Sequence, residues 1–310
     1  MILNSSNLES LFTGFNASFK TGFDAVKPIH MQIALQAKSS TSKNIYPWMG
    51  QIQAMREWIG GRVLSGIAMH NFTIVNRDYE STIAVPRNAI QDDEYGVYAP
   101  LFQEMGKAAG EKPDEIVVSL LKNGFTGLCY DGQYFFDTEH PLGVQTGNPT
   151  SVSNIQAGSG TPWFLLDCSR PIKPLVWQER MPFNKLTTLD QDRDKNVFFD
   201  KEYIYGTDGR GDAGYGLWQL AHASKADLTA ANFELARIAM AELRGDEGRP
   251  LGIKPTHIVV PPSLVGAAKR LFNNGSRIET VDLGADGSTA VAINNEWAGE
   301  VEVLESPWLA

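Results

Sequence analysis

The chain has 310 residues, 43% of them hydrophobic and 20% charged, the composition of a folded soluble protein with room for two domains. A net charge of −9 and a pI near 5.1 argue against a surface that grips nucleic acid. Two cysteines, Cys129 and Cys168, are too few for a disulfide scaffold and lack metal-ligand spacing. The opening residues MILNSSNLES carry neither the basic nor the apolar region of a signal peptide. No apolar run nears the roughly 18 residues that span a bilayer, so synthesis and folding in a cytoplasm are expected.

In chain order, residues 4–19 predict a helix, with Ser6 and Glu9 fitting a capping box. Leu8, Leu11, Phe12, Phe15 and Phe19 form one stripe along it. That stripe either packs on the chain's own core or docks an N-terminal arm on a neighbour. Residues 20–47 are mixed and polar, and SSTSKN at 39–44 reads as a flexible stretch. A short helix is expected at 49–59, closed by Gly60-Gly61.

Residues 60–90 read as a long β-hairpin. Its first strand runs from Arg62 to Val75, Asn76-Arg77-Asp78 makes the turn, and the second strand alternates. Tyr79, Ser81, Ile83 and Val85 share one face, while Glu80, Thr82 and Ala84 share the other. Neither face is apolar enough for a core, and an isolated two-stranded hairpin is marginal in water. Such an element needs another surface to lie on, which points to assembly more than to catalysis.

The following helix opens near Asp92-Asp93, or at Tyr98 with Pro100 in its first turn, and Gly110 closes it. Pro113-Asp114-Glu115 starts another helix that Gly124 stops. Residues 125–160 are loop-rich. From Trp163 to Ala221 the chain reads as an antiparallel sheet with long strands. After it, Thr229 caps a helix over 230–243, THIVV (256–260) is a buried strand, Ser263 caps a helix over 264–272, and EVEVLES (300–306) is a last strand. That alternation suggests a compact α/β module.

Catalytic and metal motifs are weak. Asp190, Asp192 and Asp194 resemble the start of a calcium loop, but Lys195 and Lys201 stand where its glycine and bidentate glutamate belong. DLGADGS (282–288) reads as a surface loop, and Arg210-Gly211-Asp212 as an incidental tripeptide. No phosphate-binding loop, dinucleotide fingerprint or H-E-x-x-H is present. His140, with Asp137 and Glu139 nearby, is the best catalytic candidate of a poor set. No catalytic, cofactor-binding or metal-binding residue is therefore expected.

Several segments in order resemble the major head subunit of Mu-like tailed phages and prophages. They are the N-terminal helix with its Phe stripe, FTIVNRDYESTIAVPRNAIQDD, PDEIVVSLLKNG, YDGQYFFDTEHP, WFLLDCSRPIKPLVWQER, YGTDGRGDAGYGLWQLAHAS and IKPTHIVVPPSLVGAAKRLF with the SPWL ending. The resemblance implies an α+β fold of the type named after phage Hong Kong 97 (HK97). It implies an N-terminal arm at 1–45, an E-loop hairpin within 46–90, a P domain with a spine helix over 91–225, and an A domain over 226–310. It also implies a homo-oligomeric icosahedral shell of pentamers and hexamers around double-stranded DNA, held without sequence-specific binding, in the virion. Expected partners are a scaffold, a maturation protease, a portal and a decoration protein, with no membrane and no cofactor. The founding member's Lys–Asn crosslink is not expected, because the required residue set cannot be assigned.

Within that frame, the candidate inter-subunit contacts are Leu8, Phe12, Phe15, Phe19, Arg62, Phe72, Ile74, Arg77, Asp78, Tyr79, Glu80, Ile83 and Arg87. Deleting residues 66–84 is expected to leave a folded monomer that forms no shells. Two other readings stand beside this one: an encapsulin-like nanocompartment shell, and a soluble hydrolase using His140.

Overall fold

The computed structural model describes residues 5–46, 72–92, 94–142, 150–245, 248–282 and 288–310. The first helix, α1 (Ser5–Asp24), is followed by the short α2 (His30–Ile33) and by β1 (Ala34–Lys38) and β2 (Lys43–Tyr46). After the break come β3 (Phe72–Val75), β4 (Arg77–Pro86), α3 (Arg87–Gln91) and the long α4 (Ala99–Lys122). Three short strands follow: β5 (His140–Leu142), β6 (Thr150–Val152) and β7 (Ile155–Gln156). Then come β8 (Trp163–Leu166), β9 (Leu175–Met181), β10 (Leu186–Leu189), α5 (Lys195–Phe199), β11 (Glu202–Tyr215) and β12 (Ala221–Ser224). The last part holds α6 (Ala230–Ala241), β13 (His257–Val260), α7 (Val265–Phe272), β14 (Ser276–Asp282), β15 (Ser288–Asn294) and β16 (Glu302–Glu305). The expected helix at 49–59 lies outside the described residues.

Two five-stranded sheets organise these elements. In the first, β1 pairs in parallel with β9, and β11 pairs with β9, β10 and β4. In the second the order is β16-β13-β8-β12-β7. One continuous apolar core runs beneath both, with Phe135 stacked on Tyr215 at 4.6 Å and Phe136 on Phe164 at 5.3 Å. α6 and α7 meet at the second sheet, where Phe233 packs edge-on against Phe272 at 4.8 Å.

The expected alternation of Tyr79 to Val85 is present, but its partner is not residues 62–75. β4 pairs antiparallel with β11 over ten positions, from Glu202↔Pro86 to Gly211↔Arg77, and β3 pairs instead with β2. Alternation marks a half-buried strand without naming its neighbour, and β11 buries one face of β4 with Val85 wholly covered. The hairpin therefore has β2 and β3 as its base, with Tyr46 opposite Phe72.

The helix expected to end at Gly110 instead runs on through Pro113 to Lys122, about 36 Å in all. Pro100 sits in its first turn, where the missing N–H is unpaired in any helix. Gly106 and Gly110 do not break it because they let α1 approach. A Cβ on Gly106 would collide with the Phe19 carbonyl, and one on Gly22 with that of Gln103. The packed face outweighs the local break. Asp114, expected to start a separate helix, is buried and accepts from the Ile29 N–H at 2.9 Å and the His30 N–H at 2.7 Å. Its carboxylate also meets His30 Nδ1 at 2.6 Å, so it ties α2 to α4.

Two caps also differ. Ser6 lies inside α1, and Ser263 lies in a 3₁₀ turn (Pro262–Leu264) that leads into α7 without a side-chain cap. Thr229 does cap α6, accepting from the Asn232 N–H. A division at residue 225 passes through the second sheet, because β8 and β12 precede it and β13 and β16 follow it. The strand-rich segment thus feeds both sheets rather than one.

Candidate assembly surface

The base of the β2–β3 hairpin is two-faced. Inward, Tyr46 and Ile74 pack on Val176 of β9, with Leu35, Ala37 and Phe72 at the margin. Gly214 of β11 makes room, since a Cβ there would strike the side chains of Ile74 and Phe72. Outward, Ile45 is 53% exposed and Val75 is 55% exposed.

A buried polar network fixes this base to the first sheet. Gln178 of β9 accepts from the Tyr46 hydroxyl at 2.8 Å and donates to Asn76 Oδ1 at 2.8 Å and to the Ile74 carbonyl at 3.3 Å. Asn76 in turn donates to Ser39 Oγ at 2.9 Å and to the Thr41 carbonyl at 2.8 Å. Ser39 Oγ donates to Asn44 Oδ1 at 2.9 Å. Gln178 and Asn76 are both buried, so each lost partner would cost about 1–3 kcal/mol. Burial also pushes the Tyr46 phenol above its ordinary range. None of these residues stood out in the sequence. Asn76 read as a turn residue, and the only signal for Gln178 was a glutamine inside the apolar run of KPLVWQER.

The sequence-predicted contact residues divide into groups. Leu8, Phe15, Phe19 and Ile74 are buried by the chain itself, and Phe15 stacks on Phe102 at 4.1 Å and meets Tyr205 edge-on at 5.2 Å. Phe12 and Phe72 are half-buried against the same core. Arg77 pairs with Asp212 at 3.1 Å and Asp78 with Arg210 at 3.1 Å, both across the β4–β11 ladder. These pairs engage both charged members of the Arg210-Gly211-Asp212 tripeptide. Burial pushes the Asp212 carboxyl up, against the opposing pull of the Ala213 N–H and Arg77. Tyr79 is half-buried beside Phe183, with the Lys112 ammonium 5.0 Å from its ring. Glu80 is exposed and accepts from Thr82 Oγ1 at 2.7 Å. Ile83 and Arg87 are half-buried, and Arg62 lies outside the described residues.

His140 does not face a site. It is fully buried, stacked on Trp218 at 3.9 Å, and its Nδ1 meets Asp131 Oδ2 at 2.7 Å. The nearby Asp137 instead receives the N–H groups of Thr138 and Glu139 in a local turn. Burial pushes the Cys168 thiol up to about 12 and raises that of Cys129 as well, so neither is a ready nucleophile. Among the described residues, no group of three His, Cys, Asp or Glu is placed to hold a metal, and no helix is long and apolar enough to cross a membrane.

Two sheets, a long helix and a hairpin pinned at its base but apolar on its outer face define a phage capsid subunit of the HK97 type. The fold matches the subunit in the procapsid of bacteriophage JBD30 with a TM-score of 0.82 and 41% identity, covering 99% of this chain and 100% of that one. It matches the bacteriophage JBD30 capsid at 0.71, with 31% identity over the whole of both chains. A family profile described as Mu-like prophage major head subunit gpT covers residues 8–309, and the chain belongs to that family. It is 45% identical to the Mu-like prophage FluMu major head subunit of Haemophilus influenzae, over 94% of this chain and 93% of that protein. It is 40% identical to the major capsid protein of Escherichia phage Mu over the full length of both. The chain is thus a major capsid protein of a tailed phage, and its place is the virion shell. Neither the nanocompartment nor the hydrolase reading has support beside this.

Proposed function

We propose that copies of this chain form the pentamers and hexamers of an icosahedral shell enclosing double-stranded DNA, with the β2–β3 hairpin as a principal arm between copies. The observation that carries this is the hairpin's two-faced base: a buried network holds it rigidly, and Ile45 and Val75 project outward. Fully covering one such side chain contributes about 1.5–3 kcal/mol, so two that are half exposed offer about 2 kcal/mol together. An exposed ion pair offers about 0–1 kcal/mol. The apolar face therefore dominates each contact, and many such contacts act together in a closed shell.

In this reading the first sheet with α4 forms the peripheral P domain, and the second sheet with α6, α7 and β14–β15 forms the axial A domain. The chain works with a scaffold, a maturation protease, a portal and a decoration protein. It performs no catalysis of its own and encloses DNA without reading its sequence, in keeping with its net negative charge.

The register of the base dictates the test. Deleting residues 66–84 would remove all of β3 and most of β4, a strand of the first sheet, so it would unfold the chain. Tyr46 and Phe72 stand opposite one another, so residues 47–71 can be replaced by an Asn-Gly turn. The resulting chain is expected to melt like the wild type yet give no shells by electron microscopy. Shells at wild-type yield would remove the hairpin from the assembly mechanism.

A further inference from the structure

Gly22 and Gly106 are explained by the close approach of α1 and α4. Gly14 and Gly96 are not: a Cβ added at either would meet nothing within 4 Å. Gly14 lies mid-helix in α1, where glycine is among the least favourable residues, and nothing inside the chain calls for it. Both glycines line one groove of about 390 Å³ between α1 and the 3₁₀ turn at Glu94–Tyr98 that leads into α4. Leu11, Phe15 and Ala99 supply its apolar walls, and no charged side chain lines it among the described residues. On the same approach to α4, Val97 is 71% exposed and Leu101 is 46% exposed.

A second feature lacks a partner within the chain. α5 carries Phe198 and Phe199, 72% and 70% exposed, with their rings edge-on at 5.0 Å. Their base is rigid. Asn196 is buried and donates to the carbonyls of Leu189 at 3.0 Å and Glu202 at 2.7 Å, bracketing the segment. Two large aromatic rings held on a fixed base form a preorganised anchor.

We infer that Phe198 and Phe199 of one copy seat in the α1–α4 groove of the next copy, a heterologous contact of the shell. The inference rests on the shell-building reading above. Area selects a second copy as the occupant. Two rings bury about 150–250 Å² each, so with the groove walls the contact stays below the about 1,200 Å² of a stable free complex. A contact of that size holds only between partners already tethered by others, which is the situation inside a shell. A separate soluble protein would have to bind on this area alone. Knob and groove are both uncharged at their centres, so the contact is expected to be insensitive to salt.

Gly14→Leu tests this without threatening the fold, because the site is open and leucine is a far better helix former. The variant is expected to melt at or above the wild-type temperature while its shell yield falls by about tenfold or more. In parallel, a chain carrying both Ser10→Cys and Phe199→Cys is expected to give disulfide-linked multimers in oxidised shells. The two single variants should give none. Wild-type yield from Gly14→Leu, or Gly14→Leu failure without crosslinking of the double variant, would overturn the assignment. Absence of shells from the wild-type control would instead overturn the shell reading, and this contact with it.

Discussion

The buried network at the hairpin base makes Gln178→Ala an informative perturbation. It removes the acceptor of the Tyr46 hydroxyl and the donor to Asn76 Oδ1, both at 2.8 Å. Two buried groups losing a partner cost about 2–4 kcal/mol together. The loss should fall locally. β2 and β3 share only four residue pairs, and a ladder that short does not hold by itself. The amides of residues 43–46 and 72–76 are then expected to exchange with deuterium roughly thirty- to thousandfold faster, at about 1.4 kcal/mol per tenfold. Amides of β9 and β11 should keep their protection apart from those beside residue 178. Pairing Gln178→Ala with Tyr46→Phe should show a coupling of about 0.5–3 kcal/mol, because the two side chains are direct partners. Hydrogen exchange read by mass spectrometry after proteolysis resolves these segments. Unchanged exchange over 43–46 and 72–76 would refute the idea that the network holds the hairpin. A uniform loss of protection across both sheets would show that Gln178 supports the whole core instead.

Two further outcomes follow from geometry and burial. Gly106→Ala places a Cβ against the Phe19 carbonyl, so α1 and α4 must separate, and a destabilisation of about 3 kcal/mol or more is expected in denaturant titration, opposite in sign to Gly14→Ala. Burial on β12 lowers the His222 pKa from 6.5 to about 4, so the native state resists its protonation. Its contribution is full above pH 6.5 and is lost as pH falls toward 4. That amounts to about 3 kcal/mol, and the corresponding slope of stability against pH should vanish in His222→Leu.

Periodicity exposed what is local. The Phe stripe of α1 was legible because residues three and four apart share a helix face, and β4 because its apolar residues alternate. Thr229 announced α6 through its cap. Pairing was not legible. The alternation of Tyr79, Ile83 and Val85 fits any neighbour, and only the assembled sheet shows that the neighbour is β11, more than a hundred residues away. Gly110 and Pro113 read as a helix end by local rules, yet the packing of α1 carries α4 through them. The assembly surface was hidden for a related reason. Gln178 and Asn76 carry no motif, and their meaning lies in a tertiary contact. The family was legible because many unremarkable segments kept their order along the chain.

The passage of the chain between its two sheets also sets the order in which the protein can be completed during synthesis. Every strand of the first sheet has been made once Tyr215 is joined, and the hairpin base can already be pinned at Gln178. β8 and β12 of the second sheet lie on either side of that excursion. Closing it brings their ends together, with the Gly216 N–H donating to the Pro174 carbonyl at 2.8 Å. A loop of about 55 residues is thereby shortened to a few, which lowers the entropic cost of pairing β8 with β12 by about 1–2 kcal/mol. The outer edge of β13 stays open until β16, at residues 302–305, is synthesised. A nascent subunit thus acquires its grip on neighbours early and its finished body late. A chain released before residue 302 would enter assembly with an unpaired strand edge, a template for aggregation rather than for a shell.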